Sequence, residues 1–249
     1  MIDGAMIAVV VPARDEALWI GEVVATMPPF VDLVVVVDDG STDATARRAR
    51  QAAAAVAELV VLSKPRSEGV GAALVAGYVH AAAQGAAVVA VMAGDGQMDP
   101  ADLRAVIDPI LGGRADYVKG NRLVHPAVWT TMPKARLFGS FVLSQLTSWA
   151  AGVPIVDSQC GYTALSGRAL AQVDIAALWP RYGYPNDLIG AVARAGLPIA
   201  EVPVRPVYRG ERSLFRPWHL AGVGYVIGRV AWRRLAARLG RVNDRRDRR

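Results

Sequence analysis

Short apolar runs punctuate the first half of the chain at residues 7–11, 33–38, around Val60 and Val61, and 86–92, and each reads as a buried strand. Helical stretches lie between and after them, at 16–27, 42–55, 69–84 and 100–111. Strands alternating with helices of this length predict βαβ units with right-handed crossovers and a mostly parallel sheet. The pattern loosens after residues 117–120. Residues 125–133, which include two prolines, read as a loop, 134–151 as a helix, and 152–161 as a turn-rich stretch. A helix over 186–195, ended by Gly196, leads into a strand at 199–204.

Composition bounds the class. The chain has 249 residues, 53% of them hydrophobic, enough for one α/β domain with a real core. A single cysteine, Cys160, excludes an internal disulfide and any multi-cysteine zinc site, as expected of a reducing compartment. The apolar N-terminal run stops at Pro12 with no basic stretch before it, unlike a signal peptide. No uninterrupted apolar stretch reaches the ~18–20 residues that span a bilayer, so the expectation is a cytoplasmic protein, soluble or peripheral on the inner face of the plasma membrane.

Charge divides the chain. Residues 1–204 hold 15 Lys+Arg and 19 Asp+Glu, whereas residues 205–249 hold 13 Arg and 3 acids. A basic end on an acidic body calls for an anionic partner: a membrane surface, a phosphorylated ligand or nucleic acid. Nucleic acid is the weakest of these, because the tail has few interleaved aromatics and no recognition motif.

Open parallel sheets bind ligands at the carboxyl ends of their strands. The first strand ends in Pro12-Ala13-Arg14-Asp15-Glu16, the second in Asp38-Asp39-Gly40-Ser41-Thr42-Asp43, and the fourth in Ala93-Gly94-Asp95-Gly96-Gln97-Met98-Asp99. Three strand ends with carboxylates argue against a dinucleotide oxidoreductase, which needs a glycine-rich turn after its first strand. Carboxylates serve a nucleotide differently, by accepting hydrogen bonds from base N–H and ribose hydroxyls and by holding a divalent cation against the diphosphate. Ser41 or Thr42 also reads as a helix N-cap, and Asp99 before Pro100 as another.

The strings VVVPARDEA, VVVVDDGSTDAT, EGVGAALVAG and AGDGQMDP resemble, in order, the motifs of the family 2 glycosyltransferases with the GT-A fold. DSQCGYTALS, GYPNDLIGAVARAG and IAEVPVRPVYRGERS resemble the subgroup around dolichyl-phosphate mannose synthase and bacterial polyprenyl-phosphate glycosyltransferases. The resemblance implies a Rossmann-like three-layer α/β/α sandwich over residues 1–215, with a donor half at about 6–122 and an acceptor half at about 123–215. It implies an enzyme that moves a sugar, with inversion, from a UDP- or GDP-sugar to a polyprenyl phosphate or other lipid-linked acceptor. Transfer to a soluble small molecule is the alternative. A binding protein with impaired catalysis is the other, because the subgroup's first aspartate of Asp-x-Asp is Ala93 here.

Carried over position by position, the resemblance puts Pro12, Ala13, Asp15, Glu16, Asp39, Gly69, Gly71, Gly94, Asp95 and Gly96 at the donor, with Asp15 where Asn is usual. Asp39 would meet the base, and Gly69 and Gly71 would let backbone pass close to the nucleotide. Asp95 and Gln97 would hold Mg2+ or Mn2+. Asp187, at a helix start, would be the general base for a hydroxyl acceptor, and Asp157 would place the acceptor or orient an arginine; both are candidate catalytic residues. Arg122, Arg205, Arg209, Arg212 and Ser213 would meet an acceptor phosphate.

Residues 216–240 read as a basic amphipathic helix, followed by a disordered tail at 241–249. At ~100° per residue, Ala231, Trp232, Leu235, Ala236 and Leu239 share one arc, and Arg229, Arg233, Arg234, Arg238 and Arg241 the other. Such a helix suits an anionic membrane surface, a packing site on the domain with its basic side in water, or a homodimer interface.

Overall fold

A computed structural model describes residues 1–208 and 217–246. In chain order the elements are β1 (Ile7–Ala13), α1 (Ile20–Ala25), β2 (Leu33–Asp38), α2 (Thr45–Gln51), β3 (Leu59–Ser63), α3 (Val70–Ala83), β4 (Val88–Val91), α4 (Leu103–Leu111), β5 (Tyr117–Asn121), α5 (Val128–Thr131), α6 (Lys134–Ala151), β6 (Thr163–Ser166), α7 (Gly167–Gln172), α8 (Tyr184–Arg194), β7 (Ile199–Pro203) and α9 (Pro217–Arg246). Three-residue 3-10 turns at Ala53–Ala55, Pro100–Asp102 and Ile175–Ala177 complete the list.

The strands form one seven-stranded sheet in the order β3-β2-β1-β4-β6-β5-β7. All pairings are parallel except those of β6, which runs antiparallel to both β4 and β5. Alternation along β1 divides the core in two. Ala8 and Val10 point into a cluster with α3, α8 and α9, while Ile7, Val9 and Val11 point into one with α1 and α4. Both faces are covered, so β1, β4 and, up to its terminal Asp38, β2 are apolar, and all three are buried along nearly their whole length. Each valine so buried contributes about 1.5–3 kcal/mol relative to exposure. This is the three-layer α/β/α sandwich with a mostly parallel sheet that the sequence predicts.

Several expectations need correction. The loop at 125–133 contains the short helix α5. β6 and α7 went unanticipated; β6 is only four residues long, and its TALS sequence has one large apolar side chain. It is nonetheless buried throughout. The helix expected at 16–27 is the shorter α1, because residues 14–19 are committed to the turn described below. The helix expected at 42–55 begins at Thr45. The C-terminal helix continues to Arg246, past the expected boundary at residue 240.

The orientation of α9 also differs from the helical wheel. Its packing face is Val223, Val226, Ile227 and Val230, all buried. Gly190 of α8 permits close approach, since a Cβ there would stand 2.6 Å from Val230 Cγ1. The arginines turn toward the domain: Arg234 donates to the Trp149 carbonyl at 2.7 Å and Arg229 to the Ala177 carbonyl at 2.7 Å. Trp232, Leu235 and Leu239 are left 68%, 50% and 57% exposed. Arg229, Arg233 and Arg234 are therefore not the solvated back of the helix, whereas Arg238 is exposed. Two exposed carbonyls and the buried Asp187 carboxylate engage the inward cations, and the valine stripe fixes the rotation. No helix among the described residues is long and apolar enough to cross a membrane.

α3 crosses β1 where Gly77 has no side chain to interpose; a Cβ would lie 2.3 Å from Val10 Cγ1. Gly77→Val is expected to lower the unfolding free energy by about 1–3 kcal/mol, measured as a lower urea midpoint. An unchanged midpoint would contradict this packing.

Candidate active site

The turns after β1 and β2 are stitched together by side chain and backbone. Asp15 sits in the left-handed region with φ +57°, which Asp and Asn tolerate better than other side chains. That explains why either residue serves at this position. Its N–H donates to Ser41 Oγ at 3.0 Å, and its Oδ1 accepts from Thr42 N at 2.7 Å and Thr42 Oγ1 at 3.1 Å. Glu16 N donates to Thr45 Oγ1 at 2.8 Å, and Ala17 N to Asp43 Oδ2 at 3.1 Å. Thr42 is thus drawn to Asp15, and the capping acceptor for α2 is Asp43, whose Oδ1 takes Thr45 N at 2.8 Å.

Asp39, at the end of β2, is 4% exposed. Its carboxylate accepts from Ser67 Oγ at 2.7 Å, Glu68 N at 3.0 Å and Gly69 N at 2.9 Å, with Lys64 Nζ at 4.0 Å. Burial alone would raise its pKa, but these donors and the lysine outweigh it and hold the group below the ordinary carboxylate range. Arg14 reaches the same cluster through Ser67, donating to its Oγ at 2.9 Å. Asp39 therefore draws the loop after β3 onto the end of β2.

Gly69 and Gly71 are also corrected. A Cβ on Gly69 would meet the Pro180 carbonyl oxygen at 2.5 Å, and one on Gly71 the Trp179 carbonyl oxygen at 2.1 Å. Ala72 N donates to that Pro180 oxygen at 3.0 Å. The backbone these glycines admit is the chain's own, from residues 179–181. This segment brings in Tyr182, whose hydroxyl lies within electrostatic reach of Arg14, Asp95 and Glu16; burial is the main cause of its raised pKa. Tyr182 was not a candidate from sequence. The only available signal was an aromatic-rich WPRYGY stretch beside the GYPND motif.

Gly94 N donates to the Pro12 carbonyl at 3.1 Å, and its missing Cβ would stand 3.0 Å from Ala13 Cβ. Pro12, Ala13 and Gly94 therefore form one close backbone seat between the ends of β1 and β4. Beyond it, Gly96 adopts φ +71°, and Asp95 Oδ1 accepts from Gln97 N at 3.0 Å. Asp99 is a cap: its Oδ1 takes Ala101 N at 3.0 Å. Among the described residues no group of three or more His, Cys, Asp or Glu side chains gathers as a metal site. The oxygens of Asp95 and Gln97 suit a hard divalent cation, but only with further oxygens from a bound diphosphate.

On the other side of the sheet, Asp157 is fully buried and holds Arg122. Arg122 Nε and Nη2 donate to its two oxygens at 2.8 and 3.0 Å, and Arg122 N donates at 3.1 Å. Glu201 of β7 accepts Asp157 N at 2.9 Å and Val156 N at 2.8 Å, so the loop itself is clamped. Burial opposes both charges, yet the pair outweighs it: the Asp157 pKa is lowered and that of Arg122 raised. Of the two expected roles for Asp157, orienting an arginine is the one this geometry provides. Lys119 is likewise buried, with Nζ donating to the Cys160 carbonyl at 2.7 Å.

Asp187, in the first turn of α8, is also fully buried. Its Oδ2 accepts Trp179 N at 2.9 Å, and Arg229 and Arg233 of α9 lie 3.6 and 3.7 Å away. In this arrangement it anchors the 179–181 segment and α9, and it is not presented to an acceptor as an exposed base. Arg205 is tied to the 99–102 turn, through Asp102 Oδ2 at 2.7 Å from its N–H and Asp99 at 3.5 Å from its guanidinium. Arg209, Arg212 and Ser213 lie outside the described residues.

Removing the Asp157 charge leaves the Arg122 guanidinium buried without its counter-ion. Asp157→Asn is expected to cost about 3–5 kcal/mol at neutral pH. A carboxylate whose pKa is depressed on folding stabilises fully above its unfolded value, and that contribution is lost as pH falls through the folded one. The wild-type and Asp157→Asn stabilities, measured by urea unfolding, should therefore converge as pH drops below the ordinary value of 3.8. Parallel curves would contradict the ion pair.

Known proteins resemble this arrangement along most of the chain. Residues 8–170 match the profile of glycosyl transferase family 2. The UDP-N-acetylglucosamine–dolichyl-phosphate N-acetylglucosaminyltransferase of Methanococcus voltae is 28% identical over 253 residues, covering 96% of this chain and 98% of the relative. The undecaprenyl-phosphate mannosyltransferase of Micrococcus luteus is 31% identical over 216 residues, covering 83% of this chain and 87% of the relative. The solved glucosyl-3-phosphoglycerate synthase of Mycobacterium tuberculosis, in complex with Mn2+, UDP and glucosyl-3-phosphoglycerate, superposes with a TM-score of 0.61 at 23% identity, over 96% of this chain and 80% of that one. That superposition speaks for the GT-A fold alone, whereas the profile and the sequence relatives carry the assignment: the chain belongs to glycosyl transferase family 2 and is a glycosyltransferase.

Proposed function

We propose that this enzyme transfers a sugar, with inversion, from a UDP- or GDP-sugar to the phosphate of a polyprenyl phosphate. The observation that carries the acceptor assignment is the contrast between Arg122 and Asp187. A hydroxyl acceptor needs an exposed base to take its proton. Here Asp187 is wholly buried and paired, while Arg122, held through Nε and Nη2 by Asp157, keeps 14% of its side chain exposed at the end of β5. A phosphate is already ionised at neutral pH and needs a cation to position it rather than a base. The names of the Methanococcus and Micrococcus relatives, both acting on a polyprenyl-type phosphate, favour the same acceptor.

On the donor side, Asp39 receives the base, and the Pro12–Ala13–Gly94 seat supports the nucleotide. Asp15 shapes the pocket through its turn, and Glu16 and Gly96 border it. A Mg2+ or Mn2+ ion held by Asp95 and Gln97 would stabilise charge on the leaving diphosphate. The Mn2+ and UDP in the Mycobacterium structure are in keeping with such an ion. Because Ala93 supplies no second carboxylate, Asp95 and Gln97 bind the ion weakly until donor phosphates complete its shell. Arg205, with Arg209, Arg212 and Ser213 beyond the described residues, supplies further acceptor-side contacts, and Asp157 serves through Arg122. Transfer to a soluble phosphorylated acceptor is a second reading, favoured by the phosphoglycerate-derived product in that same structure.

The reading is tested by incubating the full chain with UDP- and GDP-sugars, polyprenyl phosphate or a soluble phosphorylated acceptor, and Mg2+ or Mn2+. Sugar should appear on the lipid phosphate. Label only on the soluble acceptor would reassign the substrate, and none on either would leave a nucleotide-sugar binder. Asp95→Ala should reduce turnover by on the order of 10²-fold or more, while thermal shifts by the metal-free nucleotide persist. Near-normal turnover would remove Asp95 from the chemistry.

A further inference from the structure

Two turns along α8 from Asp187, at the far end of the helix, stands Arg194. A cation there ordinarily serves the last carbonyls of its helix. Those carbonyls are already taken. Ala195 N donates to the Ala191 carbonyl at 3.1 Å, Gly196 N to that of Ala193 at 3.1 Å, and Leu197 N to that of Val192 at 3.3 Å. Arg194 instead lines a cavity of about 510 Å³ between α8, α9 and the segment 172–178, a size within the ~300–1,000 Å³ of small-molecule sites. Its Nη1 is buried and has no hydrogen-bond partner. Burial, and after it the neighbouring Arg233, press the guanidinium below its ordinary pKa.

The lining has two characters. Leu178, Trp232 and Ala237 are apolar, whereas Asp174, Arg194 and Arg233 carry charge. Arg233 is engaged in part by Asp187, 3.7 Å away, and Arg229 draws on that same carboxylate at 3.6 Å. Asp174 commits Oδ1 to Ala177 N at 3.2 Å. Among the described residues, three guanidiniums therefore meet two carboxylates, and one negative charge is lacking. A buried cation without a counter-ion is costly, and guanidinium forks are the side chains that best receive an oxyanion.

We propose that this cavity binds a small organic monocarboxylate, its carboxylate on Arg194 and Arg233 and its apolar body against Trp232 and Leu178. Charge and shape select the ligand class. A single negative charge balances the cluster, whereas a phosphate monoester carries about −1.5 to −2 at neutral pH and overshoots. A planar carboxylate matches the planar fork of Arg194 two bonds at a time. The apolar lining disfavours an anion that presents polar oxygens on every side, as inorganic phosphate does. The site stands apart from the strand ends that carry Asp39 and Asp95, and binding there is measured without any sugar transfer.

The probe is 3-phenylpropionate, one carboxylate on an apolar body, with 3-phenylpropionamide as its neutral control. Titration calorimetry and thermal melts use the full chain. The acid should bind saturably and raise the melting temperature, and the amide should bind at least about 10-fold more weakly. Arg194→Met keeps an apolar stem and removes the unpartnered guanidinium. It should lose about 10-fold or more in affinity for the acid, while its ligand-free melt equals or exceeds that of the wild type. Ala237→Leu, which narrows the cavity and leaves every arginine in place, should also weaken binding. No binding of the acid, equal binding of the amide, or undiminished affinity in either variant overturns the proposal. So does a lower ligand-free melt for Arg194→Met, since Arg194 would then be a structural contact. Inorganic phosphate that binds and is not displaced by the acid would give the arginines to a different anion, and overturns it as well.

Discussion

The meeting of the loops after β2 and β3 depends on a single buried carboxylate. Asp39 ends β2 out of reach of bulk water, and an unpaired charge there would cost several kcal/mol. It is satisfied by the hydroxyl and amides of residues 67–69, and this requirement sets where the loop after β3 must lie. With that loop in place, α3 starts at the correct point, its two leading glycines receive residues 179–181, and Tyr182 arrives within electrostatic reach of Asp95 and Glu16. The ends of β2 and β3 are tied together because one acceptor collects the donors of the loop that follows β3.

The end of β5 is organised differently. There the central group is a cation held rigid by a chain of acceptors: Arg122 by Asp157, and the Asp157 loop by Glu201. The effect of both carboxylates is to remove rotameric freedom from one guanidinium. A bidentate fork of this kind is not interchangeable with lysine, whose point charge cannot engage both oxygens.

Much of this was legible in sequence, and the limits have physical causes. β1, β2 and β4 were readable because strands buried on both faces leave unbroken apolar runs. The bounds of α6 were readable from Pro133 and Gly152, which stop any helix, with Gly152 at φ +74°. The side on which α6 carries its apolar residues was not, because periodicity reports that a face exists and not what covers it. β6 was hidden because burial between two neighbours lets a short strand of small residues suffice. Asp39 and Asp95 were marked by their places after strands. Gly69 and Gly71 were recognised as close-approach positions, but the approaching group proved to be a peptide segment about a hundred residues away. Asp187 illustrates the same limit: a helix-start acid is visible in sequence, but the arginines that bury it come from α9.

That long-range contact has a consequence for how the molecule is made. The N-terminus of α3 is completed by a backbone that leaves the ribosome about a hundred residues later, a delay of about 5–20 s at ordinary elongation rates. Until then Gly69 and Gly71 are bare, and the peptide groups they serve remain hydrated. The contact between the start of α3 and residues 179–181 closes only after that second segment has been synthesised. A nascent or truncated chain that stops short of residue 179 therefore lacks the backbone that completes the start of α3.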